Sequence, residues 1–597
     1  MKLRIKIRYN KWQYLKILGE GDFLIELAKK MNPLRVGLAV IFILLQVVGL
    51  MYTPTLTADI INNGVANGDM SYIFKTGGIM VLVAAMTLGS ALLNVYFSAV
   101  ESQHLGENIR NDLFNKIMSF SNEELDRFGI STLITRTTND VTQYQVVMMF
   151  LLRFLIMDPI RIIVAFSLAF LREPKMSFIF FIMGPILALM VYVLIKKVSP
   201  KFRFLQLLTD RLNQVFREGL TGIRVIRAFN KDRYEEERFD EVNEEYATTS
   251  ISAHTMMALL NPMMIFAVSA TQILIVWFGA QFISMDLVKV GNLVALNTYA
   301  INILMGIMMF SMVLIQVPRA EVAAERINEV LHTETSIKEP EHTKDRTPEL
   351  GHVTVEFDNV SFVYPGAEEY ALRNVSFKIK AGERLAIIGG TGSGKSTLAN
   401  LLLRLYDVTE GRILLNGVDI REISQHNLRK WINYATQKAV LFSGNIRENL
   451  QYANPDATDD EIWEALEVAQ GADFVDELPK GLDDRVEQGG NNFSGGQKQR
   501  LSIARTLISK APVLVFDDSF SALDFKTDAK LRKELKPFTK QQAIIVIAQR
   551  ISSVTDADQI LVLEYGKQVG LGTHDELKKS NKVYREIIDS QMKGDDI

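Results

Sequence analysis

At 597 residues, with 48% hydrophobic content and a formal net charge of −3, the chain is too long for one core and has no basic excess to suit nucleic acid as a partner. It contains no cysteine, which excludes disulfides, thiolate zinc sites and cysteine nucleophiles. The averages conceal an asymmetry: apolar residues crowd the first half and charges the second.

Residues 1–35 are basic and amphipathic, with Lys2, Arg4, Lys6, Arg8, Lys11 and Lys16 interleaved with Leu3, Ile5, Ile7, Trp12 and Leu15. That pattern predicts a segment lying along an anionic membrane face. The following apolar run, Val36 to about Pro54, is longer than a signal-peptide core and has no convincing small-residue cleavage site, so it reads as a first membrane span. Five more follow at about Gly77–Val100, Val146–Phe170, Met176–Val198, Met256–Ile283 and Val294–Val317. Each is near the roughly 20 residues needed to cross the hydrocarbon core. Six spans keep both ends of this half on one side. Lys and Arg concentrate in 196–238 and not in the short links at 172–175 and 281–290, so the positive-inside tendency puts both termini and the long loops 101–145 and 199–255 in the cytoplasm. Those loops favour helix, as in Asn108–Phe120 and Asp210–Glu218, so the membrane helices are expected to extend well beyond the bilayer.

The third span carries Arg153, Asp158 and Arg161, with Pro159 between the last two. Charge at membrane depth is expensive and faces a partner or a cavity. Asp158 and Arg161 stand three apart on one helix face, so they can pair, with Arg153 snorkelling to the headgroups. The other reading is a polar patch along a substrate route. The last two spans hold many methionines, among them Met256, Met257, Met263, Met264, Met305, Met308, Met309 and Met312. Thioethers re-pack around varied apolar ligands, but helix packing and lipid contact account for most such residues.

A polar linker, about 331–350, precedes a region where strand-like runs alternate with helical ones: Val353–Phe357, Val360–Tyr364, Leu385–Gly389, Val513–Asp517, Ala543–Ala548 and Gln559–Leu563. The alternation predicts an α/β core with a predominantly parallel sheet. Gly389-Gly390-Thr391-Gly392-Ser393-Gly394-Lys395-Ser396 lies between the strand 384–388 and a helix opening at Thr397. This is a phosphate-binding loop: backbone amides and a helix N-terminus face a phosphate chain, Lys395 reaches the β- and γ-phosphates, and the Ser396 hydroxyl suits Mg²⁺. The chain binds ATP or GTP on this reading. Asp517 ends an apolar strand, where a carboxylate can hold Mg²⁺ beside the phosphates. Ser494-Gly495-Gly496-Gln497 opens another helix and makes a second phosphate site of the same physical kind.

Together these residues resemble an ATP-binding cassette (ABC) exporter half-transporter of type IV, the multidrug-exporter-like class. A six-span all-α membrane domain (36–330) is followed by an α/β P-loop NTPase domain (351–597). The resemblance covers nearly the whole chain. It implies that two half-transporters sandwich two ATP molecules, each between the Gly389, Gly392, Gly394, Lys395, Ser396 and Thr397 loop of one chain and the Ser494, Gly495, Gly496 and Gln497 stretch of the other. It also implies that Tyr364 stacks on adenine, that Gln437 joins Ser396 and Asp517 around Mg²⁺, and that Asp524 lies in the loop joining the two sites. Segments near Glu123–Phe128 and Val225–Lys231 would dock on the nucleotide-binding domains.

Two positions depart from the family pattern. The catalytic position after Asp517, normally Glu, is Asp518, and the switch position, normally His, is Gln549. Asp withdraws the carboxylate by about 1.5 Å, one C–C bond. Misplacement of that order costs on the order of 10²-fold in rate. Gln carries no imidazolium charge for the transition state. Both changes at one site imply a pocket that binds ATP and hydrolyses it slowly, and therefore a heterodimer whose partner supplies the active site. The expected function is export of hydrophobic or amphipathic compounds across the cell membrane. The alternatives are a lipid or lipopeptide flippase and an ATP-gated channel.

Overall fold

The computed structural model describes residues 22–592; most of the basic amphipathic segment, residues 1–21, lies outside them. The described chain forms two compact units, one of residues up to 118 and 130–333, the other of 119–129 and 334 onward.

The first unit is helical. Its six long apolar stretches are Pro33–Val65, Met70–Met118, Ile130–Arg172, Pro174–Thr221, Asp232–Ser284 and Val290–His332. The second, of 49 residues, extends for about 74 Å at 1.5 Å per residue, more than twice the hydrocarbon thickness. The excess is the polar helical sequence that follows its apolar core. Ile43, Val47 and Met51 of the first stretch pack with Ala165, Ala169, Ile275, Ala295, Leu296, Tyr299 and Ile303. Alanines at these seams let helices approach closely where lipid offers no hydrophobic drive. The methionines divide: Met264 is buried, whereas Met305 and Met312 are exposed.

A polar network closes the end of the bundle that carries the short links. Arg172 donates to Asp59 Oδ1 at 2.6 Å, Asn292 Oδ1 at 2.8 Å and the Thr55 carbonyl at 3.1 Å. Asn62 donates to Asn292 at 2.9 Å and accepts from the Gly291 amide at 2.8 Å, and Asn292 donates to Glu173 at 2.7 Å. Deeper in the third span, Asp158 is fully buried and pairs with Arg161 at 2.7 Å, the i,i+3 pairing expected from the sequence. Arg153 lies over the Phe154 ring, 5.1 Å from its centroid.

The second unit is built on a ten-stranded sheet. Its strands are β1 (Thr354–Phe362), β2 (Leu372–Lys380), β3 (Arg384–Gly389), β4 (Glu410–Leu415), β5 (Val418–Asp419), β6 (Ile432–Ala435), β9 (Val513–Asp517), β10 (Ala543–Ile547), β11 (Gln559–Glu564) and β12 (Lys567–Gly572). A separate pair, β7 (Gly444–Asn445) and β8 (Arg485–Val486), lies apart from it. The order across the sheet is β5-β4-β1-β2-β12-β11-β3-β10-β9-β6.

The sheet is mixed, with the expected parallel strands at its centre and antiparallel strands added beside them. β6, β9, β10, β3 and β11 run parallel, whereas β1 pairs antiparallel with β2 and β4, and β12 with β11. Tight turns such as that at Tyr565–Gly566, both with positive φ, return the chain at once, and only a helical crossover can make neighbours parallel. The runs 353–357 and 360–364 are one strand, β1, bulged between Phe357 and Val360.

In the central strands alternate residues serve opposite faces. Ala386, Ile388, Leu514, Phe516, Ile544, Val546, Ile560 and Val562 enter one core. Leu385, Ile387, Val513, Val515, Ile545, Ile547, Leu561 and Leu563 enter the other. Burial on both faces explains why these strands read as unbroken apolar runs. The segment 119–129 belongs to this unit. Its helix Asn122–Phe128 starts with a Ser121–Glu124 capping box, and Tyr406 donates to Asp126 at 2.7 Å.

Candidate functional site

The carboxyl ends of β3, β9 and β10 deliver the predicted phosphate-site residues to one place. β3 ends at Gly389, where a Cβ would stand 2.2 Å from the Leu563 carbonyl oxygen. The loop turns through Gly392 and Gly394, and Gly394 has φ +94 with a would-be Cβ 2.7 Å from the Ala371 oxygen. Only glycine fits those two positions. The helix Lys395–Leu402 follows, and its first amides have no intrahelical acceptor. The Ser393 hydroxyl is buried and, among the described residues, has no hydrogen-bond partner. Lys395 is buried and donates to the Gly389 and Gly390 carbonyls at 2.9 and 2.8 Å, spanning the loop. Burial lowers its pKa, opposed by the charges of Asp518 and Asp517. Unpaired amides, an orphaned hydroxyl and a buried cation together form a cradle for a polyphosphate.

Ser396 and Asp517 converge, with the hydroxyl 3.3 Å from Asp517 Oδ1. Tyr434 on β6 holds the other oxygen of Asp517 at 2.8 Å, placed by the β6–β9 register that sets Tyr434 opposite Val515. Sequence reasoning missed Tyr434; its one signal is a polar aromatic in a short strand three residues before Gln437.

Asp518 follows in a left-handed conformation, φ 48, with its amide tied to the Ile547 carbonyl at 2.8 Å. Gln549 donates to Asp518 Oδ2 at 3.0 Å, and Gln437 Nε2 stands 3.5 Å from the same oxygen. Burial holds the Asp518 carboxyl above its usual range, and the neighbouring Asp517 charge adds to the effect. Both departures from the family pattern thus bond to one another. Tyr364 donates to or accepts from Thr397 at 2.9 Å, with Phe362 and Tyr406 edge-on to its ring.

Ser494 and Gln497 form a capping box at the start of the helix Gly495–Ile508: the Ser494 amide donates to Gln497 Oε1 at 2.8 Å and the Gln497 amide to Ser494 Oγ at 3.3 Å. Gly495 is exposed, and a Cβ there would meet nothing within 4 Å. Among the described residues, no hydrogen bond joins 494–497 to the 389–397 loop. Asp524 caps the helix Phe525–Phe538, accepting from the Lys526 and Thr527 amides at 3.1 and 3.0 Å. The Thr527 hydrogen bonds hold its carboxyl below the usual range.

A membrane bundle of six long helices joined to a phosphate cradle on a mixed sheet defines an ATP-driven membrane transporter. Comparison with known proteins agrees: residues 36–308 match the family model of the ABC transporter transmembrane region and residues 372–521 that of the ABC transporter. An uncharacterized ABC transporter ATP-binding protein of Mycobacterium tuberculosis is 39% identical over 95% of this chain and 97% of its own. A probable multidrug resistance ABC transporter ATP-binding/permease protein of Bacillus subtilis is 31% identical over 94% of this chain and 95% of its own. An ATP-dependent lipid A-core flippase of Pseudomonas fluorescens is 32% identical over 85% of this chain and 84% of its own. In fold the chain is similar to a bacterial Atm1-family ABC exporter with ATP bound, at a TM-score of 0.75 and 24% identity, covering 93% of this chain and 98% of that one. The chain belongs to the ABC transporter family, as a half-transporter of exporter type with a multi-pass membrane domain and an ATP-binding domain.

Proposed function

We propose that this chain is the slow-site half of a heterodimeric exporter that moves hydrophobic or amphipathic compounds out of the cytoplasm by alternating access. The observation that carries the proposal is the Gln549–Asp518 hydrogen bond, which puts a short carboxylate and a neutral amide where the family has Glu and His. In this reading Lys395 and the loop amides hold the phosphates of ATP, and Tyr364 meets the adenine. Ser494–Gln497 completes the partner's site. Ser396, Asp517 and Gln437 form an all-oxygen donor set suited to Mg²⁺, which when bound neutralises phosphate charge. Residues 36–330, apart from 119–129, act as the transmembrane domain and 351–597 as the nucleotide-binding domain, with both termini cytoplasmic. The flippase reading has one specific support, the lipid A-core flippase among the relatives.

Restoring the family residues tests the slow site. The double variant Asp518→Glu with Gln549→His is expected to raise steady-state ATPase of the purified pair, the restored reach being worth up to about 10²-fold at this site. Turnover identical to wild type would sink the slow-site assignment.

Alternating access has its own readout. The chain has no cysteine, so Asp69→Cys and Asp286→Cys on two of the short links give the only labelling positions. The distance distribution between spin labels there is expected to lengthen when ATP–Mg²⁺ is bound and hydrolysis is blocked. Identical distributions with and without nucleotide would count against the mechanism.

A further inference from the structure

The loop that carries Gln549 is gripped from outside the nucleotide site. The helix Lys582–Met592 is anchored by Tyr584 and Ile588, 0% and 5% exposed. Its N-terminus is tied down by Asn581, which accepts from the Tyr584 amide at 2.9 Å and donates to the Val569 carbonyl at 2.7 Å. Two turns on, the half-buried Gln591 makes two hydrogen bonds to one stretch of backbone. Its Nε2 donates to the Gln549 carbonyl at 2.7 Å, and its Oε1 accepts from the Ile551 amide at 2.8 Å. A carboxamide is suited to this, because it is uncharged and offers a donor and an acceptor side by side. The partners also determine which way round the amide lies.

The same loop is held on its other side by the helix Phe525–Phe538. The Arg550 guanidinium lies 5.2 Å from the centroid of the Phe525 ring, and Arg532 donates to the Ser552 carbonyl. The backbone of 549–552 is therefore held at Gln549, Ile551 and Ser552. The Gln549 side chain leaves that fixed backbone and reaches Asp518 Oδ2 at 3.0 Å.

We propose that Gln591 is a positioning residue for ATP hydrolysis: by clamping the backbone on both sides of Arg550, it sets the distance between the side chain at 549 and the carboxylate at 518. The proposal rests on the reading of 549 and 518 as the reactive pair. It is independent of which residue stands at 549, since the clamp engages only backbone.

The test uses the full chain in its assembled transporter, in lipid nanodiscs, with Gln591→Met, which keeps the side chain's length and apolar stem and removes both hydrogen bonds. Hydrogen exchange at the Ile551 amide is expected to speed up about tenfold, the net worth of one such bond. Exchange in 584–588 is expected to stay as in wild type, since Tyr584 and Ile588 anchor the helix without Gln591. In the Asp518→Glu, Gln549→His background, with the partner's own hydrolytic site inactivated so that only this site turns over, the same change is expected to lower kcat by about three- to tenfold with KM for ATP unchanged, because the clamp acts on the reacting geometry and not on nucleotide binding. Gln591→Glu keeps the acceptor for Ile551 and should recover part of kcat. Faster exchange along the whole of 582–592 would mean that Gln591 only staples the helix, and would overturn the proposal, as would an unchanged Ile551 amide or an unchanged kcat. If the restored background gains no turnover, the slow-site reading fails separately; kcat of Gln591→Met is then read against the wild-type pair.

Discussion

Replacing Gly495 with arginine is expected to stop ATP hydrolysis by the assembled transporter, a loss of at least about 10²-fold, without unfolding the chain. Gly495 is the first residue of its helix, is exposed, and has open space where a Cβ would go. The capping box uses the Ser494 and Gln497 side chains and the Gln497 and Ser494 amides, none of which the change removes. Arginine is also the better helix former. What a side chain at 495 does block is close approach of a phosphate to the helix N-terminus, where glycine leaves the amides open. The phosphate concerned belongs to the partner's site. Asp518→Ala, by contrast, is expected to lower turnover of the pair less than twofold, because it removes a base from the slow site. Measuring steady-state ATPase and thermal stability of both variants beside wild type separates the cases. Should Asp518→Ala stop turnover as fully as the Gly495 change, this chain hydrolyses ATP itself and the division of labour between the two sites is wrong.

Asp158→Asn is expected to destabilise the membrane domain strongly, by about 3–5 kcal/mol, and the double change Asp158→Asn with Arg161→Gln to recover most of the loss. Asp158 is fully buried and its carboxylate has no hydrogen bond among the described residues, so the ion pair with Arg161 is what neutralises it. Removing one partner strands the other charge at membrane depth, whereas removing both leaves two neutral amides that can bond to each other. The measurement is the temperature at which the purified protein loses its monodisperse peak in size-exclusion chromatography. Recovery of stability with transport still absent would assign the pair to the substrate route. If each single variant melts with wild type, the pair has neither role.

How much of this was legible in the sequence depends on whether a feature is local. The six spans, the glycine loop and the i,i+3 pair of Asp158 and Arg161 are written in consecutive residues, and each is found where spacing predicts it. The central strands were equally readable because burial on both faces leaves unbroken apolar runs such as Val513–Phe516. β2, β4 and β12 were not: they carry polar residues on a half-exposed surface, and only their pairing with β1 and β11 defines them. The antiparallel part of the sheet was therefore missed. Tyr434 and Gln591 were missed for a stronger reason. One acts across β6 and β9 on Asp517, the other reaches back 42 residues to Gln549, and neither relation leaves a periodic trace.

The placement of residues 119–129 within the second unit has a consequence for any attempt to study that half in isolation. Tyr406, 7% exposed, gives its hydroxyl to Asp126, and burial together with that carboxylate pushes the phenol above its usual range. The Ser336 amide, at the very start of the C-terminal stretch, donates to Glu124 at 2.9 Å. A fragment beginning at residue 334 is contiguous in the gene yet incomplete in space: it exposes the Tyr406 ring and leaves the Ser336 amide and the Tyr406 hydroxyl to water. A soluble ATPase cut from this chain is thus a different folding object from the one in the intact protein, and supplying 119–129 as a separate peptide is the way to rebuild its missing edge.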